Sequence, residues 1–199
     1  MATPPSQRSF FPPDLPDGLT YLENYVSQED AATLVRYVDA KPWRADLKRR
    51  VQHYGYRYDY KTRQARREDH LGPLPRLFQR LADQLTTDGY FEAIPDQVIV
   101  NEYVPGQGIS AHVDCQPCFG DVIASLSLLS SCVMQFADPS SSRKTELNLQ
   151  PSSLLVMRGA ARHQWTHAIP PRKSDVIAGQ KHVRTRRLSL TFRTMRFGE

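Results

Sequence analysis

Asn101-Glu-Tyr-Val-Pro-Gly-Gln-Gly-Ile-Ser-Ala-His-Val-Asp114 joins a strand-like run to a Pro/Gly turn and delivers His112 and Asp114 two positions apart. In an extended backbone, side chains at i and i+2 leave the same face, so an imidazole and a carboxylate can converge on one point. That is two thirds of a metal site. An iron(II) ion that must also bind dioxygen and a co-substrate needs three protein ligands on one octahedral face, commonly two His and one carboxylate, with the opposite face open. A His-x-Asp pair beside a turn is more often a surface pair than a ligand pair, so the rest of the chain must supply the third ligand.

Trp165-Thr-His167-Ala-Ile-Pro follows the strand-like Ser153–Met157 and a polar turn, and it offers that ligand. His163 competes, and His182 does so less well. His167 is preferred because it precedes an apolar residue and a Pro pair, as if ending a strand beside the one that carries His112. In Arg187-Leu-Ser-Leu-Thr-Phe-Arg193, alternation puts Arg187, Ser189, Thr191 and Arg193 on one face and Leu188, Leu190 and Phe192 on the other. Two arginines and two hydroxyls are costly to bury unless an anion meets them. A guanidinium binds a carboxylate bidentately, so this face suits a dicarboxylate in a barrel mouth. Asn101 and Tyr103 could add neutral hydrogen bonds to the same ligand.

The chain has 199 residues, enough for one well-buried core and short for two. A formal charge of +5 makes an anionic partner such as nucleic acid plausible, although an excess of this size also occurs without one. Three cysteines, Cys115, Cys118 and Cys132, argue against a disulfide framework and for a reducing setting. Cys115-Gln-Pro-Cys118 has zinc-like spacing but lacks a second pair to complete four ligands. Residues 1–16 are rich in Pro and polar residues and read as a flexible arm onto which Phe10 and Phe11 could dock, without an apolar leader. No run approaches a membrane span. A cytoplasmic or, in a eukaryote, nuclear monomer is the expectation.

Leu19–Tyr25 reads as a short strand, and Ser27 with Asp30 marks a helix start with Leu34, Val35 and Val38 on its core face. Leu77, Phe78, Leu81 and Leu85 mark a second helix, with Pro75 in its first turn. Strand signals then follow at Gln97–Val104, Val122–Leu128, Cys132–Phe136, Glu146–Leu149, Ser153–Met157 and Leu188–Phe192. The fold class is therefore mainly β with flanking helices (α+β), a sandwich or jelly roll.

Tyr54, Tyr56, Tyr58 and Tyr60 alternate within a stretch that also holds Arg49, Arg50, Arg57 and Lys61. In one strand the tyrosines would share a face, either stacked on bases beside phosphate-binding cations or packed on the core. The loop Pro171–Arg186, with Arg172, Lys173, Lys181, Arg184 and Arg186, could touch phosphate.

Asn101-x-Tyr103, His112-x-Asp114, His167 and Arg187-x-Ser-x-Thr-x-Arg193 together resemble the AlkB family of iron(II)/2-oxoglutarate dioxygenases, over roughly residues 18–196. Arg49–Tyr56, Tyr103–Ile109, Ser125–Leu128, Ser153–Met157 and Trp165–Ile169 look closer to the branch that hydroxylates a modified wobble uridine in tRNA. That branch's RNA-recognition and methyltransferase domains have no counterpart in this sequence. The resemblance implies a double-stranded β-helix spanning 17–199, with Fe(II) on His112, Asp114 and His167. It implies 2-oxoglutarate held by Arg187, Arg193, Asn101, Tyr103 and Ser189, and a nucleotide lid containing Arg50, Tyr54, Tyr56 and Tyr58.

The implied reaction consumes O2 and 2-oxoglutarate, releases succinate and CO2, and hydroxylates a carbon attached to a base of tRNA or of single-stranded alkylated DNA or RNA. On an N-alkyl carbon the product collapses and the alkyl group leaves as an aldehyde; on a side-chain methylene the hydroxyl stays. Repair members of the family tend to carry an acidic residue soon after the metal Asp and an Asn in the last motif, where this chain has Cys115-Gln-Pro-Cys118 and Ser189. Both departures favour tRNA modification over repair. A protein hydroxylase or demethylase would share every metal and co-substrate residue. A nucleic-acid-binding module would need neither His167 nor Arg187, and a cupin-like metalloprotein would not need Arg187.

Overall fold

The alternation of the strands is realised in three dimensions in a computed structural model, which describes residues 15–197 apart from 46, 47, 61 and 63. The proposed docking of Phe10 and Phe11, and Lys61, lie outside the described residues. Six strands form an antiparallel major sheet in the order β1 (Leu19–Leu22), β8 (Leu154–Met157), β5 (Phe119–Leu128), β12 (Arg187–Met195), β3 (Gln97–Tyr103) and β2 (Val51–Tyr54). One face of this sheet is apolar. Val98 and Val100 of β3, Leu126 of β5, Val156 of β8 and Leu188, Leu190 and Phe192 of β12 pack there in one buried cluster.

Helices α1 (Gln28–Asp39) and α2 (Arg76–Thr87) complete that cluster with Leu34, Val38, Phe78, Leu81 and Leu85. Ser27 caps α1 by accepting a bond from the Asp30 amide, and Pro75 stands at the N-cap of α2, where its missing N–H is no loss. Each large side chain buried in this layer contributes roughly 1.5–3 kcal/mol.

The opposite face faces a four-stranded minor sheet, ordered β4 (Ile109–His112), β9 (Thr166–Ile169), β6 (Cys132–Ala137) and β7 (Lys144–Leu149). Met134, Phe136, Leu147 and Ile169 of the minor sheet meet Ile123, Leu155 and Met157 of the major sheet in a second cluster. Two antiparallel sheets closed on a shared interior are the jelly roll expected from the sequence. Period 2 thus sorts each major strand into a helix-facing apolar set and an inward set, and in β12 the inward set includes Ser189, Thr191 and Arg193.

Four features depart from the sequence reading. The tyrosines do not share a strand face: β2 ends at Tyr54, and Gly55 turns the chain with φ +76°. A Cβ at Gly55 would lie 1.8 Å from the Asp96 carbonyl oxygen, so only glycine fits the turn. The segment after β9 is not a loop but a hairpin of β10 (Ser174–Ile177) and β11 (Gln180–Val183). Its root is fixed by Arg184, which donates to both oxygens of buried Asp175. Residues Gly159–His163 form a short helix, α3. Finally, Cys115 and Cys118 are joined by a disulfide, which corrects the expectation of unpaired thiols, and Cys132 is the free, buried cysteine among the described residues.

Candidate active site

His112 and His167 are direct partners across β4 and β9, with ring centroids 4.4 Å apart. The register explains how. Ile109 pairs with Ile169 and His112 with His167, so three steps along β4 match two along β9. The extra residue is a β-bulge at exposed Ser110–Ala111, and it turns His112 onto the same side as Ile109, toward the interior. Gly108 permits this close pairing, since a Cβ there would lie 2.1 Å from the Ile169 carbonyl oxygen.

Asp114 follows just beyond the strand, and one ligand atom from each of His112, Asp114 and His167 lies within 4.8 Å of the others. His163 instead sits 3.2 Å from Asp121, and His182 belongs to the exposed β11, so neither joins the cluster.

The His112 Nδ1 lies 2.8 Å from the Ser110 carbonyl oxygen. A carbonyl can only accept, so Nδ1 donates to it, and Nε2, 3.4 Å from Asp114 Oδ1, is the nitrogen turned toward the cluster. Burial pushes the His167 imidazole down to about 4, more than the attraction of Asp114 restores, so it is neutral near pH 7. Burial alone would raise the Asp114 carboxyl, but the Arg193 guanidinium and the two imidazoles outweigh it and hold it well below the usual range. A neutral His167 and an ionised Asp114 are protonation states that a divalent cation requires.

Arg193 donates to Asp114 Oδ2 from Nε at 3.2 Å and from Nη2 at 3.1 Å, and to Gln97 from Nη1. Asn101, Tyr103 and Ser189 line the same cavity of about 280 Å³. Ser189 is hydrogen-bonded to Ser125, and Asn101 accepts a 2.8 Å bond from Arg49. Arg187 stands behind Tyr103, its guanidinium carbon 5.5 Å from the ring. It is 2% exposed and donates to Ser127, while its Nε and Nη1 have no partner. Two unmet donors on a buried cation are costly, and an anionic acceptor would relieve that cost.

The aromatic rim differs from the sequence reading. Tyr58 lines the cavity, and so do Tyr60 and Phe119, each with its ring within 5.3 Å of Tyr58's. Tyr54 instead packs on Phe78 and Tyr37 in the helix layer, and Tyr56 packs on His70 and Phe197. Arg50 points away as well, donating twice to Glu102 and stacking on Trp43. Its neighbour Arg49 lines the cavity instead. Sequence reading noted Arg49 and Tyr60 but did not single them out, and it passed over Phe119. Strand alternation across Arg49–Arg50 was the available signal.

A model of the 2OG-Fe(II) oxygenase superfamily matches residues 18–193. The chain belongs to that superfamily. It is 34% identical over 190 residues to "Uncharacterized protein L905" of Acanthamoeba polyphaga mimivirus, covering 90% of this chain and 85% of that one. It is 37% identical over 181 residues to the mouse tRNA (carboxymethyluridine(34)-5-O)-methyltransferase ALKBH8, covering 85% of this chain but spanning only 27% of the mouse protein's length. The solved structure of OsALKBH1 superposes with a TM-score of 0.65 at 18% identity, over 89% of this chain and 96% of that one, and shows the same fold.

The oxygenase is a 2-oxoglutarate-dependent dioxygenase, which uses Fe(II), 2-oxoglutarate and O2. The residues present fit both groups: the His/Asp/His cluster suits the metal, and the unmet donors of Arg187 suit a carboxylate of the co-substrate. Among the described residues no helix is long and apolar enough to cross a membrane.

Proposed function

We propose that this dioxygenase hydroxylates or oxidatively dealkylates a modified nucleobase, with tRNA favoured as the substrate. The observation that carries the reading is a single cavity holding the His112/Asp114/His167 cluster, Arg193 and a wall of Tyr58, Tyr60 and Arg49. A base taken out of its stack needs an aromatic surface to lie against and a cation near its phosphate, and this wall offers both. The similarity to a protein named for carboxymethyluridine-34 of tRNA supports the choice of tRNA.

In this reading His112, Asp114 and His167 hold the iron. Arg187 takes the distal carboxylate of 2-oxoglutarate, and Arg193, Asn101, Tyr103 and Ser189 complete its pocket. Held there, Fe(II) and 2-oxoglutarate would supply the chemistry of dioxygen activation for oxidising a C–H bond, with succinate and CO2 as co-products. The chain's own residues orient and exclude. Ser110 fixes the tautomer of His112, the buried aliphatic wall of Ile123, Leu155 and Met157 limits water, and Tyr58 and Tyr60 position the base. Cys115-Gln-Pro-Cys118 places no carboxylate near that base, which favours a neutral uridine over a positively charged N-methyl base.

The hairpin contributes less charge than the sequence suggested. Arg184 is neutralised by Asp175, which Arg172 also approaches at 3.9 Å, and Arg186 by Asp39 and Glu102, which leaves Lys173 and Lys181 as the candidates for phosphate contact. We place the enzyme in the cytoplasm or nucleus, as a monomer.

Mass spectrometry of nucleosides, after incubation with Fe(II), 2-oxoglutarate and either modified tRNA or alkylated single-stranded DNA, tests the proposal. One oxygen gained on a tRNA uridine is the expected result. Loss of the alkyl group from the DNA base, with tRNA untouched, would make the protein a repair demethylase instead.

A further inference from the structure

Arg162 lies in α3, five residues before His167, and is only 2% exposed. A guanidinium this deep normally faces a carboxylate, because an unpaired buried cation is strongly destabilising. Here all three of its recorded hydrogen bonds go to backbone carbonyls: Nη1 to Asp114 at 3.0 Å, Nη2 to Cys115 at 3.3 Å and Nε to Gly120 at 3.2 Å. Burial lowers its pKa, so its position there is maintained against a desolvation penalty. The three acceptors are the two ends of one loop, which leaves β4 with Asp114 and enters β5 at Phe119–Gly120. A planar fork with five N–H donors can serve both ends at once, which a lysine ammonium cannot.

We propose that Arg162 is a positioning residue that holds the Asp114 loop, and through it the metal-ligand carboxylate, in register with His167. The proposal rests on the assignment of His112, Asp114 and His167 as ligands. The segment bearing Arg162 is itself fixed. Ala161 donates to the Asp17 carbonyl at 2.9 Å, and Trp165 is buried two residues before His167. On the loop side Gln116 donates back to the His163 carbonyl at 2.9 Å, and the Phe119 amide donates to the Cys115 carbonyl at 3.2 Å. Arg162 therefore ties the segment that ends in one ligand to the loop that begins with another. Groups that orient metal ligands typically change metal affinity by roughly 10–100-fold when removed.

The test is Mn(II) binding to the metal-free full chain, followed by electron paramagnetic resonance of the free ion, together with amide hydrogen exchange. Arg162→Met keeps the bulk and removes the donors, whereas Arg162→Lys keeps the charge and loses the fork. Arg162→Met is expected to weaken Mn(II) binding roughly 10–100-fold and Arg162→Lys by a smaller factor. Exchange should quicken at residues 115–120 in both, while the core of β5 and β12 stays protected.

Mn(II) affinity within about twofold of the parent in both variants would overturn the proposal. So would loosening of the core equal to that of the loop, or failure of both variants to fold, since Arg162 would then be a general folding element. Asp114→Ala separates the two levels. If it binds Mn(II) like the parent, the ligand assignment has failed and the clamp falls with it. If it does not bind while both Arg162 variants do, the clamp alone is wrong.

Discussion

Arg187 carries two N–H donors that nothing in the described structure accepts, on a side chain with almost no exposure. Such a group is a liability until its anion arrives, so its removal should affect the free and bound protein in opposite ways. Arg187→Met is expected to leave the metal-free melting temperature unchanged or raise it, and to abolish stabilisation by 2-oxoglutarate. For the parent with Mn(II), co-substrate at a hundred times its Kd contributes about 2.7 kcal/mol, or roughly 5–11 °C for a chain of this size. Differential scanning fluorimetry reads both, and a co-substrate shift that persists in the variant would remove Arg187 from the site.

Tyr54 and Tyr58 make a second contrast. Tyr54 packs in the helix layer, so Tyr54→Ala should destabilise the fold by about 3 kcal/mol without a specific effect on nucleic-acid affinity. Tyr58→Ala should weaken binding of a single-stranded oligonucleotide by roughly 1–3 kcal/mol, with a smaller loss of stability. Urea unfolding and fluorescence anisotropy distinguish the two.

At the level of elements, what could be read from the sequence was whatever follows from period. The apolar and polar faces of β3 and β12 were legible because a strand buried on both sides still alternates in kind, with Leu188, Leu190 and Phe192 against Ser189, Thr191 and Arg193. The pairing of the His112 strand with the His167 strand was legible from the same logic and the Pro pair that ends β9. The bulge at Ser110–Ala111 was not, because an added residue leaves no compositional mark in a short polar segment. The tyrosine face failed for a related reason: the alternation is present in the letters, but Gly55 ends the strand before Tyr56. The Cys115–Cys118 bond was missed because an odd count and a reducing compartment argue about frameworks, not about two cysteines in one turn. Deleting Ala111 tests the bulge directly. It should restore plain alternation with His112 two steps from Ile109, still inward and opposite His167, and so keep Mn(II) binding, while circular dichroism keeps its β signature. Loss of Mn(II) binding would mean that the bulge does more than aim the ligand.

Across the whole molecule, several buried or paired groups bias stability in the same direction with pH. The Arg50 and Arg186 hydrogen bonds hold Glu102 below the usual carboxylate range. Burial would raise Asp175, but its bonds to Arg184 and the Val133 amide outweigh it and leave it lowered as well. A carboxylate depressed in the folded state contributes stability above its unfolded pKa and loses it as pH falls through the folded one. His167 acts the same way for a different reason. Held neutral down to about 4, it binds fewer protons than the unfolded chain as pH falls from its usual 6.5, so stability declines across that window by on the order of 3 kcal/mol. Urea unfolding of the metal-free protein from about pH 7 to about pH 4 should therefore show a steady loss, with the carboxylates adding theirs at lower pH, and a flat profile over that range would mean that His167 is not held as described.

One cavity is required to hold metal, co-substrate and base together, and succinate release tests that requirement most directly. The purified protein, given Fe(II), 2-oxoglutarate, dioxygen and tRNA, should release succinate at a rate that collapses in His112→Ala, His167→Ala and Arg187→Ala and falls less in Tyr58→Ala. Succinate release that survives His167→Ala or Arg187→Ala would contradict the account, because the chemistry would then not depend on the ligand cluster or on the cation behind Tyr103.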